Sequence, residues 1–358
     1  MAEAFATVSR GAGGCRPLSA GVGPEGAWLL RKGLSGAQRA DGCRLQARRR
    51  RRGLLADTVK ASATTLDASV NDAVKGRCVV VTGASRGLGV SIARAFACAG
   101  AASVCLVARS EETLQTTCAE LRAEHPCISF FPLVADVTSS EDRTHLVAAV
   151  KASAAAAPLV LINNAGVEAW GPFEHATEAS IDEQIAVNLA APIHLSRAFL
   201  PEMLARGTGT IIHVASLAGK LGSPNSAAYT ASKHGLVGFS RALRSEVAGR
   251  GVSSCVVCPS FVRTALLDSL VAKAGGAHPL WLSTTTTAAV AEACVRAVTD
   301  DEPEALVNSV PMRPILMLFE ALPRLPQLVD AAFPWLFEFN RRCGRVTDQG
   351  DGRGRGSR

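Results

Sequence analysis

From about Arg77 onward, short apolar runs alternate with longer segments of helical periodicity. This alternation indicates repeated βαβ units around a parallel sheet, and the runs are apolar throughout because helices cover both faces of such a sheet. The predicted fold class is α/β, a doubly wound parallel sheet of about seven strands. Strands are predicted near residues 77–82, 103–108, 129–135, 159–163, 210–215, 252–258 and 305–309, and helices near 87–99, 111–124, 140–155, 177–206 and 226–249.

The predicted organisation is a single catalytic domain at residues 76–310 with flanking segments. Residues 265–300 have a helical pattern that two glycines and a proline interrupt, which suggests a mobile lid. Residues 311–346 are predicted to form a C-terminal helical extension. The Gly/Arg-rich tail at 347–358 is predicted to be disordered.

An apolar stripe at helical spacing runs along the extension. It consists of Leu325, Leu328, Val329, Ala332, Leu336 and Phe337. The domain itself, a second subunit and a membrane surface are the three candidate partners for this stripe. Trp335 and the arginines after it suit a helix lying on a membrane, whereas packing on the domain or dimerisation is the simpler interpretation. No run approaches the roughly 18 apolar residues of a membrane span.

The net charge of +7 is concentrated at the N-terminus. Residues 1–55 contain eleven Lys/Arg and three Asp/Glu, so their balance is +8 and that of the remaining chain is −1. A nucleic-acid partner is therefore not expected, since such proteins carry their basic groups on the folded body.

The basic N-terminal segment is rich in Ala, Gly and Arg and ends in a run of five arginines, Arg48 to Arg52. This composition is typical of an organellar transit peptide, and a disordered basic tail without a targeting role is the alternative. Residues 59–62 resemble plastid processing sites, so we predict that residues 1–61 are a disordered transit peptide for the chloroplast, with the mitochondrion as the alternative.

Eleven cysteines in a chain without a secretory signal indicate thiols in a reducing compartment. Cys255 and Cys258 form a Cys-x-x-Cys pattern, but they lie in a predicted strand, where alternation directs their side chains to opposite faces. They are therefore expected to be buried thiols, and no metal site is predicted.

The first predicted strand is followed by a glycine-rich turn, Thr82-Gly83-Ala84-Ser85-Arg86-Gly87-Leu88-Gly89, which begins a helix. A dinucleotide pyrophosphate needs bare backbone and a helix N-terminus, where unpaired N–H groups and the helix dipole attract negative charge. Gly83 would allow the tight turn, Gly87 the close approach of the ligand, and Gly89 the packing of helix on strand. Between a strand and a helix, this turn predicts a Rossmann-type dinucleotide site.

The second predicted strand ends in Arg109, at the position where NAD-binding proteins place a carboxylate against the ribose 2′-hydroxyl. Arg109 and Arg86 would instead attract the 2′-phosphate of NADP(H). NADP(H) is therefore the predicted cofactor and NAD(H) is less favoured. The alternative is that both arginines are merely solvated.

Tyr229 is the only tyrosine of the chain, and Lys233 follows it four positions later. On a helix, this spacing places both side chains on one face. Reduction of a ketone requires a proton donor; a tyrosine titrates at about pH 10, and a nearby ammonium ion lowers that pKa. Ser216, at the end of the fifth predicted strand, would hydrogen-bond the substrate oxygen.

Ser216, Tyr229, Lys233 and Asn188, together with the glycine turn and Asn163-Asn164-Ala165-Gly166, resemble the short-chain dehydrogenase/reductase family over residues 76 to about 265. The resemblance implies that Tyr229 is the general acid/base and that Ser216 orients the substrate. It implies that Lys233 lowers the Tyr229 pKa and binds the nicotinamide ribose. It also implies that the backbone carbonyl of Asn188 binds a water that joins Lys233 to solvent.

The same resemblance implies the remaining cofactor contacts. They are Ser85 and Leu88 in the turn, Asp136 and Val137 near the adenine, Asn163, Ala165 and Gly166 near the adenosine ribose, and Pro259, Val262 and Thr264 near the carboxamide. Family members are commonly dimers or tetramers, so a homo-oligomer is expected. Ser260 stands where the family usually has glycine, and it is expected to restrict that turn.

The predicted function is NADP(H)-dependent interconversion of a ketone or aldehyde and an alcohol, on a small hydrophobic substrate. Val167-Glu168-Ala169-Trp170 and the C-terminal extension resemble the broader group that acts on such substrates. A plastid 3-oxoacyl-carrier-protein reductase is the enzymatic alternative. A non-catalytic NADP-binding protein is the alternative of another class. Substrate specificity is expected to reside in residues 167–175, 217–225 and 265–285.

Overall fold

The apolar runs of the sequence form parallel strands, as predicted. The computed structural model describes residues 73–153, 159–276, 284–322 and 324–343. The strands are β1 (Cys78–Thr82), β2 (Ser103–Ala108), β3 (Ser129–Val134), β4 (Leu159–Asn163), β5 (Gly209–Val214), β6 (Val252–Pro259), β7 (Phe261–Arg263), β8 (Thr284–Thr286) and β9 (Glu304–Val307). Seven of them form one sheet in the order β3-β2-β1-β4-β5-β6-β9, and β7 pairs with β8 in a separate parallel sheet.

Helices cover both faces of the seven-stranded sheet. The helices of the described residues are α1 (Gly87–Cys98), α2 (Glu111–Glu124), α3 (Ser140–Ser153), α4 (Glu178–Ile185), α5 (Ala191–Arg206), α6 (Ala227–Val247), α7 (Ala265–Lys273), α8 (Thr287–Thr299), α9 (Arg313–Ala321) and α10 (Leu325–Ala332), and α1, α2, α3, α5, α6 and α8 supply the side chains that cover the sheet. None of the described helices is both long enough and apolar enough to cross a membrane.

Alternating side chains of each strand pack into two separate apolar cores. Val79 and Val81 of β1 face the core that contains Phe96 of α1, whereas Val80 faces the core that contains Phe199 of α5. Burial of each of these phenylalanines contributes roughly 1.5–3 kcal/mol. Because both faces are covered, the strands contain few of the polar positions that mark a half-exposed sheet.

The chain order in the sheet creates a crevice at one edge. β2 and β3 lie on one side of β1, and β4, β5 and β6 lie on its other side. The connections therefore diverge at the carboxyl ends of β1 and β4. In sheets of this kind, ligands bind at that switch point.

Two helical predictions need correction. The predicted helix at 177–206 is divided by a π-helical segment, Ala186–Ala190, between α4 and α5. The pattern at 265–300 contains α7 and α8 separated by β8, which consists of three threonines and therefore has no apolar signal. The remaining part of the predicted lid, 277–283, lies outside the described residues.

The extension is also not one helix. It contains α9, α10, a 3-10 turn at Pro334–Phe337 and helical residues 338–343, because prolines begin three of these segments. The predicted stripe is not a buried face, since Leu328 is 64% exposed. Instead, Met312 and Leu316 pack on Leu217 and Leu221 of the domain. The predicted transit peptide at 1–61 and the tail at 347–358 lie outside the described part of the chain.

Candidate active site

A cleft of roughly 920 Å³ lies at the carboxyl ends of the strands. This volume is in the range of small-molecule and cofactor sites. Most of the predicted site residues line it together: Gly83, Ser85, Arg86, Gly87, Leu88, Gly89, Arg109, Asp136, Val137, Ala165, Gly166, Ser216, Tyr229, Lys233, Pro259, Val262 and Thr264.

The glycine turn forms one wall of this cleft, and it has no room for side chains at two positions. A Cβ on Gly89 would lie 2.3 Å from the Gly83 carbonyl oxygen, and a Cβ on Gly83 would lie 2.9 Å from the Ala165 Cα. Gly83 and Gly87 also have φ angles of 67° and 59°, which favour glycine. α1 has no side-chain cap at its N-terminus, so its first amides suit an anionic group.

Thr82 and Asn164 hold the glycine turn against the end of β4, and the part of Thr82 in this contact is one that the sequence analysis missed. The Thr82 hydroxyl accepts hydrogen bonds from the backbone N–H groups of Asn164 and Ala165, each at 3.0 Å. The Asn164 side-chain amide donates to the Thr82 carbonyl at 2.8 Å. These bonds join the two strands between which the crevice opens.

Asn163 does not reach the cleft, which corrects its predicted contact with the cofactor. It is buried on the strand, where its side-chain amide lies 3.3 Å from Nδ1 of His213 and 3.5 Å from Oγ of Ser196. Successive residues of a strand point to opposite faces, so Asn164 rather than Asn163 lines the cleft.

The charged groups at the far end of the cleft match the expected charge pattern. Arg86 and Arg109 are exposed at the cleft wall, and no carboxylate ends β2. Asp136 accepts hydrogen bonds from the Thr138 backbone and hydroxyl at 2.8 and 2.7 Å. Burial alone would raise the pKa of Asp136, but the hydrogen bonds from Thr138 and the charge of Arg109 lower it below its usual value.

The predicted proton-transfer residues lie at the centre of the cleft. Tyr229 and Ser216 line the cleft together, and their side chains interact. One helical turn away, Lys233 Nζ lies 5.6 Å from the centroid of the Tyr229 ring. Lys233 Nζ also donates a hydrogen bond to the Val214 carbonyl at 3.0 Å. The phenol, the hydroxyl and the amine are therefore brought together as the spacing in the sequence predicts.

The pKa of Tyr229 differs from the expectation. Burial and the charge of Glu168 raise the pKa of Tyr229 well above its usual value, although the interaction with the Ser216 side chain opposes them. Burial also lowers the pKa of Lys233 to about 8, which weakens the expected effect of its ammonium ion. The structure therefore has a neutral phenol at pH 7, and this is the form that can donate a proton.

Asn188 lies outside the cleft lining, in the π-helical segment, and its side chain is fully buried. Its side-chain oxygen accepts from the Val167 N–H at 2.9 Å, and its side-chain amide donates to the Val167 carbonyl at 2.8 Å and to Ser232 Oγ at 3.2 Å. The sequence analysis missed this role of the side chain. The sequence does contain a signal for this role, because Asn188 lies in the middle of a predicted helix, where asparagine is unfavourable.

An aromatic cluster, Trp170, Phe261 and Phe339, closes the substrate end of the cleft. Trp170 and Phe261 line the cleft, with ring centroids 6.4 Å apart. Phe339 of the extension packs behind them, 5.2 Å from Phe261. Leu267 and Leu270 of α7 complete this apolar wall. Phe339 lies 110 positions beyond Tyr229 in the chain, so no local motif indicates its place in the site.

Ser260 does not strain its turn, contrary to expectation. It is not among the described residues with a positive φ angle, so a serine fits as well as a glycine. Its N–H donates to the Val307 carbonyl at 3.0 Å, which ties the end of β6 to β9.

Cys255 and Cys258 lie in two different apolar clusters, on opposite faces of β6, as alternation predicts. Burial raises the pKa of each thiol to about 12. In the part of the chain that the structure describes, no group of three or more His, Cys, Asp or Glu residues could hold a metal ion.

Comparison with known proteins is consistent with this geometry. The family model for short chain dehydrogenases matches residues 77–275. The ketoacyl reductase HetN of Nostoc sp. is 38% identical over 274 residues, which are 75% of this chain and 92% of that protein. A 2-dehydro-3-deoxy-L-rhamnonate dehydrogenase (NAD(+)) of Sphingomonas sp. is 37% identical over 54% of this chain and 76% of its own length. The crystal structure of a metagenomic short-chain oxidoreductase in complex with NADP has a TM-score of 0.56 at 34% identity, over 66% of this chain and 99% of the other.

Proposed function

This chain belongs to the short chain dehydrogenase family, and we propose that it is an NADP(H)-dependent oxidoreductase that interconverts an apolar ketone or aldehyde and its alcohol. One observation carries this proposal. Tyr229 lines the cleft together with Ser216, and Lys233 lies one helical turn away with its Nζ 5.6 Å from the centroid of the Tyr229 ring. The relatives are named as reductases and dehydrogenases, so a nicotinamide-dependent oxidoreductase is the general class.

The residues of the cleft fit a nicotinamide dinucleotide. The glycines of the turn and the uncapped N-terminus of α1 suit the pyrophosphate, and Val262 and Thr264 would hold the carboxamide. When bound, the dinucleotide supplies or accepts the hydride. Arg86 and Arg109 favour NADP(H) over NAD(H), because they suit a 2′-phosphate and β2 does not end in a carboxylate. The named relatives do not separate the two, since one uses NAD(+) and one binds NADP.

The side chains around the reacting carbon have distinct roles in this proposal. Tyr229 donates its phenolic proton to the carbonyl oxygen as hydride reaches the carbon, and the reverse transfer accompanies oxidation. Ser216 hydrogen-bonds that oxygen and stabilises the charge that develops on it. By family resemblance, Lys233 binds the nicotinamide ribose. The apolar wall of Trp170, Phe261 and Leu270 favours an apolar substrate.

The test is a panel of apolar ketones, aldehydes and alcohols, read by the absorbance of reduced nicotinamide with NADPH and NADH in parallel. We expect turnover that favours NADPH by at least about tenfold. Tyr229→Phe should lower kcat by about 10²–10⁴-fold with unchanged NADPH affinity and Tm. Undiminished turnover by this variant contradicts the assigned proton donor, and no turnover by the wild type supports a non-catalytic NADP-binding protein.

A 3-oxoacyl-carrier-protein reductase is the second candidate function. It is favoured by the Nostoc relative, which is named a ketoacyl reductase and is matched over 92% of its length. The two candidates share fold and proton donor, so only the substrate separates them. A 3-oxoacyl thioester of acyl-carrier protein should be a poor substrate with NADPH, and rapid turnover would replace the first candidate by the second.

Localisation and assembly are further proposals. The composition of residues 1–61 supports a plastid transit peptide, and a fluorescent protein fused to this segment should accumulate in chloroplasts. Mitochondrial or cytosolic fluorescence would contradict this.

We also propose a homo-oligomer, as is common in the family, which light scattering would detect. Residues 311–346 stay a candidate for membrane contact, because Phe333 and Trp335 are 49% and 56% exposed there.

A further inference from the structure

Glu168 is an ionisable group of the cleft that the proposed mechanism does not use. It lies in the loop after β4, and its side chain is open to the cleft. Three titratable groups interact with it electrostatically: Lys233 and Tyr229 of α6, and Cys343 of the extension. Glu168 and the proposed proton donor, Tyr229, therefore line the same cleft and influence each other's charge.

Two buried amide side chains hold the backbone on either side of Glu168. Asn188 binds both the N–H and the carbonyl of Val167, at 2.9 and 2.8 Å. Gln184, which is 4% exposed, accepts from the Ala169 N–H at 3.2 Å. A side chain on so constrained a backbone is oriented before any ligand arrives, which lowers the entropy cost of binding.

The carboxyl is not neutralised by its surroundings. Among the described residues, no ion pair joins Glu168 to Lys233, whose ammonium group hydrogen-bonds to Val214 instead. The Glu168 side chain is exposed to the cleft, and desolvation by the surrounding cleft walls raises the pKa of its carboxyl to about 7, although Lys233 and the Trp170 side chain both favour the ionised form. Groups with shifted pKa values are concentrated at functional sites.

The neighbours of Glu168 limit the chemistry that it can recognise. The Trp170, Phe261 and Phe339 cluster beside it is apolar, so the body of a ligand there is apolar. A charged ligand group would meet opposing effects, because Glu168 repels a carboxylate that Lys233 attracts, and Lys233 repels an ammonium that Glu168 attracts. A neutral hydrogen-bond donor, that is a hydroxyl group, meets neither repulsion.

We propose that Glu168 is a substrate-specificity residue whose carboxyl accepts a hydrogen bond from a hydroxyl group that the apolar substrate carries near its reacting carbon. The substrate class is thus an apolar hydroxy ketone or the corresponding diol. This inference rests on the proposed function and adds to it a second polar contact in the substrate half of the cleft.

The test compares ketones that share one carbon skeleton and differ only in an added group. For each skeleton, the set contains the plain ketone, hydroxy ketones with the hydroxyl on the α, β or γ carbon, and the keto acid. The full chain is assayed with NADPH as wild type, Glu168→Ala and Glu168→Gln. Glu174→Ala and Glu174→Gln are matched controls, since Glu174 is exposed six positions away, outside the cleft lining.

The wild type should prefer one hydroxy ketone over its plain ketone by about tenfold in kcat/KM, the effect of one hydrogen bond to a charged group. Glu168→Ala should lower this ratio to about one, mainly through KM. Glu168→Gln should keep most of the ratio because its amide oxygen still accepts, and should raise kcat/KM for the keto acid about tenfold. Both Glu174 variants should behave as wild type.

The plain ketone is the internal reference for folding and for the proposed function. If Glu168→Ala lowers plain and hydroxy ketone turnover equally, or if the wild type does not distinguish them, the inference is overturned and ketone reduction stands. If the wild type reduces no ketone at all, the proposed function and the inference fall together.

A pH series adds a readout that a merely structural role would not change. Because Glu168 ionises at about pH 7, discrimination against the keto acid should increase as the pH rises through that value. Glu168→Gln should remove this change in discrimination near pH 7. A second change in discrimination near pH 8, where Lys233 loses its charge, should remain in this variant. A step at pH 7 that persists in Glu168→Gln contradicts the assignment.

Discussion

The two halves of the cleft are built from different parts of the polypeptide. In the cofactor half, the wall is largely backbone: a Cβ on Gly83 would overlap the main chain of Ala165, and a Cβ on Gly89 would overlap the main chain of Gly83. In the substrate half, the wall is side chains: Trp170, Phe261 and Leu270. The first half comes mainly from one short segment, and the second from segments that are distant in the chain.

This difference predicts how each half responds to change. A backbone wall cannot gain atoms without displacing a strand or a helix, since protein interiors are close-packed. A wall of side chains can exchange one apolar group for another at a cost below about 1.5 kcal/mol when volume is kept. One fold can therefore keep its cofactor and vary its substrate.

The largest effect is expected at Gly89. In Gly89→Ala, the new Cβ would meet the Gly83 carbonyl oxygen at 2.3 Å, so α1 must move away from β1. We expect NADPH affinity to fall about 100-fold, equal to about 2.7 kcal/mol, or the Tm to fall by several degrees. Isothermal titration and thermal unfolding would measure these effects.

The matched control is Gly238→Ala in α6. A Cβ at this position meets no atom within 4 Å, and alanine is the better helix former by roughly 0.5–1 kcal/mol. This variant should keep its NADPH affinity and unfold at the same or a higher temperature. Equal tolerance of both substitutions would contradict the backbone-wall description of the cofactor half.

An intermediate effect is expected at the buried junction beneath both halves, where His213 packs on Asn163 and Phe239. Burial, and secondarily the charge of Lys233, lower the pKa of His213 to about 3. The native state therefore keeps this imidazole neutral while the unfolded state protonates at its usual pKa of 6.5. The contribution of neutral His213 to the free energy of unfolding is therefore fully present above pH 6.5 and is lost as the pH falls towards 3.

From these pKa values, the wild type should lose about 2 kcal/mol of unfolding free energy between about pH 7 and pH 5 through His213 alone. Urea unfolding at the two pH values would measure the loss of unfolding free energy. In His213→Asn, the contribution of His213 to this loss should be absent. Since the junction supports both halves, cofactor and substrate affinity should decline together. An equal pH dependence in the two proteins would show that His213 does not control acid sensitivity.

The smallest effect is expected at Phe339, which supports the substrate half from behind. Phe339→Leu keeps an apolar contact but leaves space beside Phe261 and Trp170, at a cost of about 1 kcal/mol. The KM for apolar ketones should rise about fivefold while NADPH affinity is unchanged. Phe333→Leu, the same substitution at a 49% exposed position of the extension, should change neither. A loss of NADPH affinity in Phe339→Leu would remove the distinction between the halves.

The sequence by itself determined the parallel sheet, the glycine turn and the grouping of Tyr229 with Lys233 that we propose for proton transfer, for a local reason. A continuous apolar run encodes a covered strand, a glycine turn encodes a backbone approach, and the spacing from Tyr229 to Lys233 encodes one helix face. Asn163 is the exception and shows the limit of this reasoning. Its motif was recognised, but side chains alternate between the two faces of the strand, so Asn164 and not Asn163 lines the cleft.

Only the tertiary structure decided which side chains form the substrate half and how far the pKa values of its ionisable groups shift. Phe339 reaches Phe261 because the extension folds back over the domain, and no spacing in the sequence records that contact. The pKa values of Tyr229 and Glu168 depend on how much water the surrounding groups exclude. Desolvation is a property of the whole packed neighbourhood, and so it opposes the lowering of the Tyr229 pKa that a neighbouring lysine alone would predict.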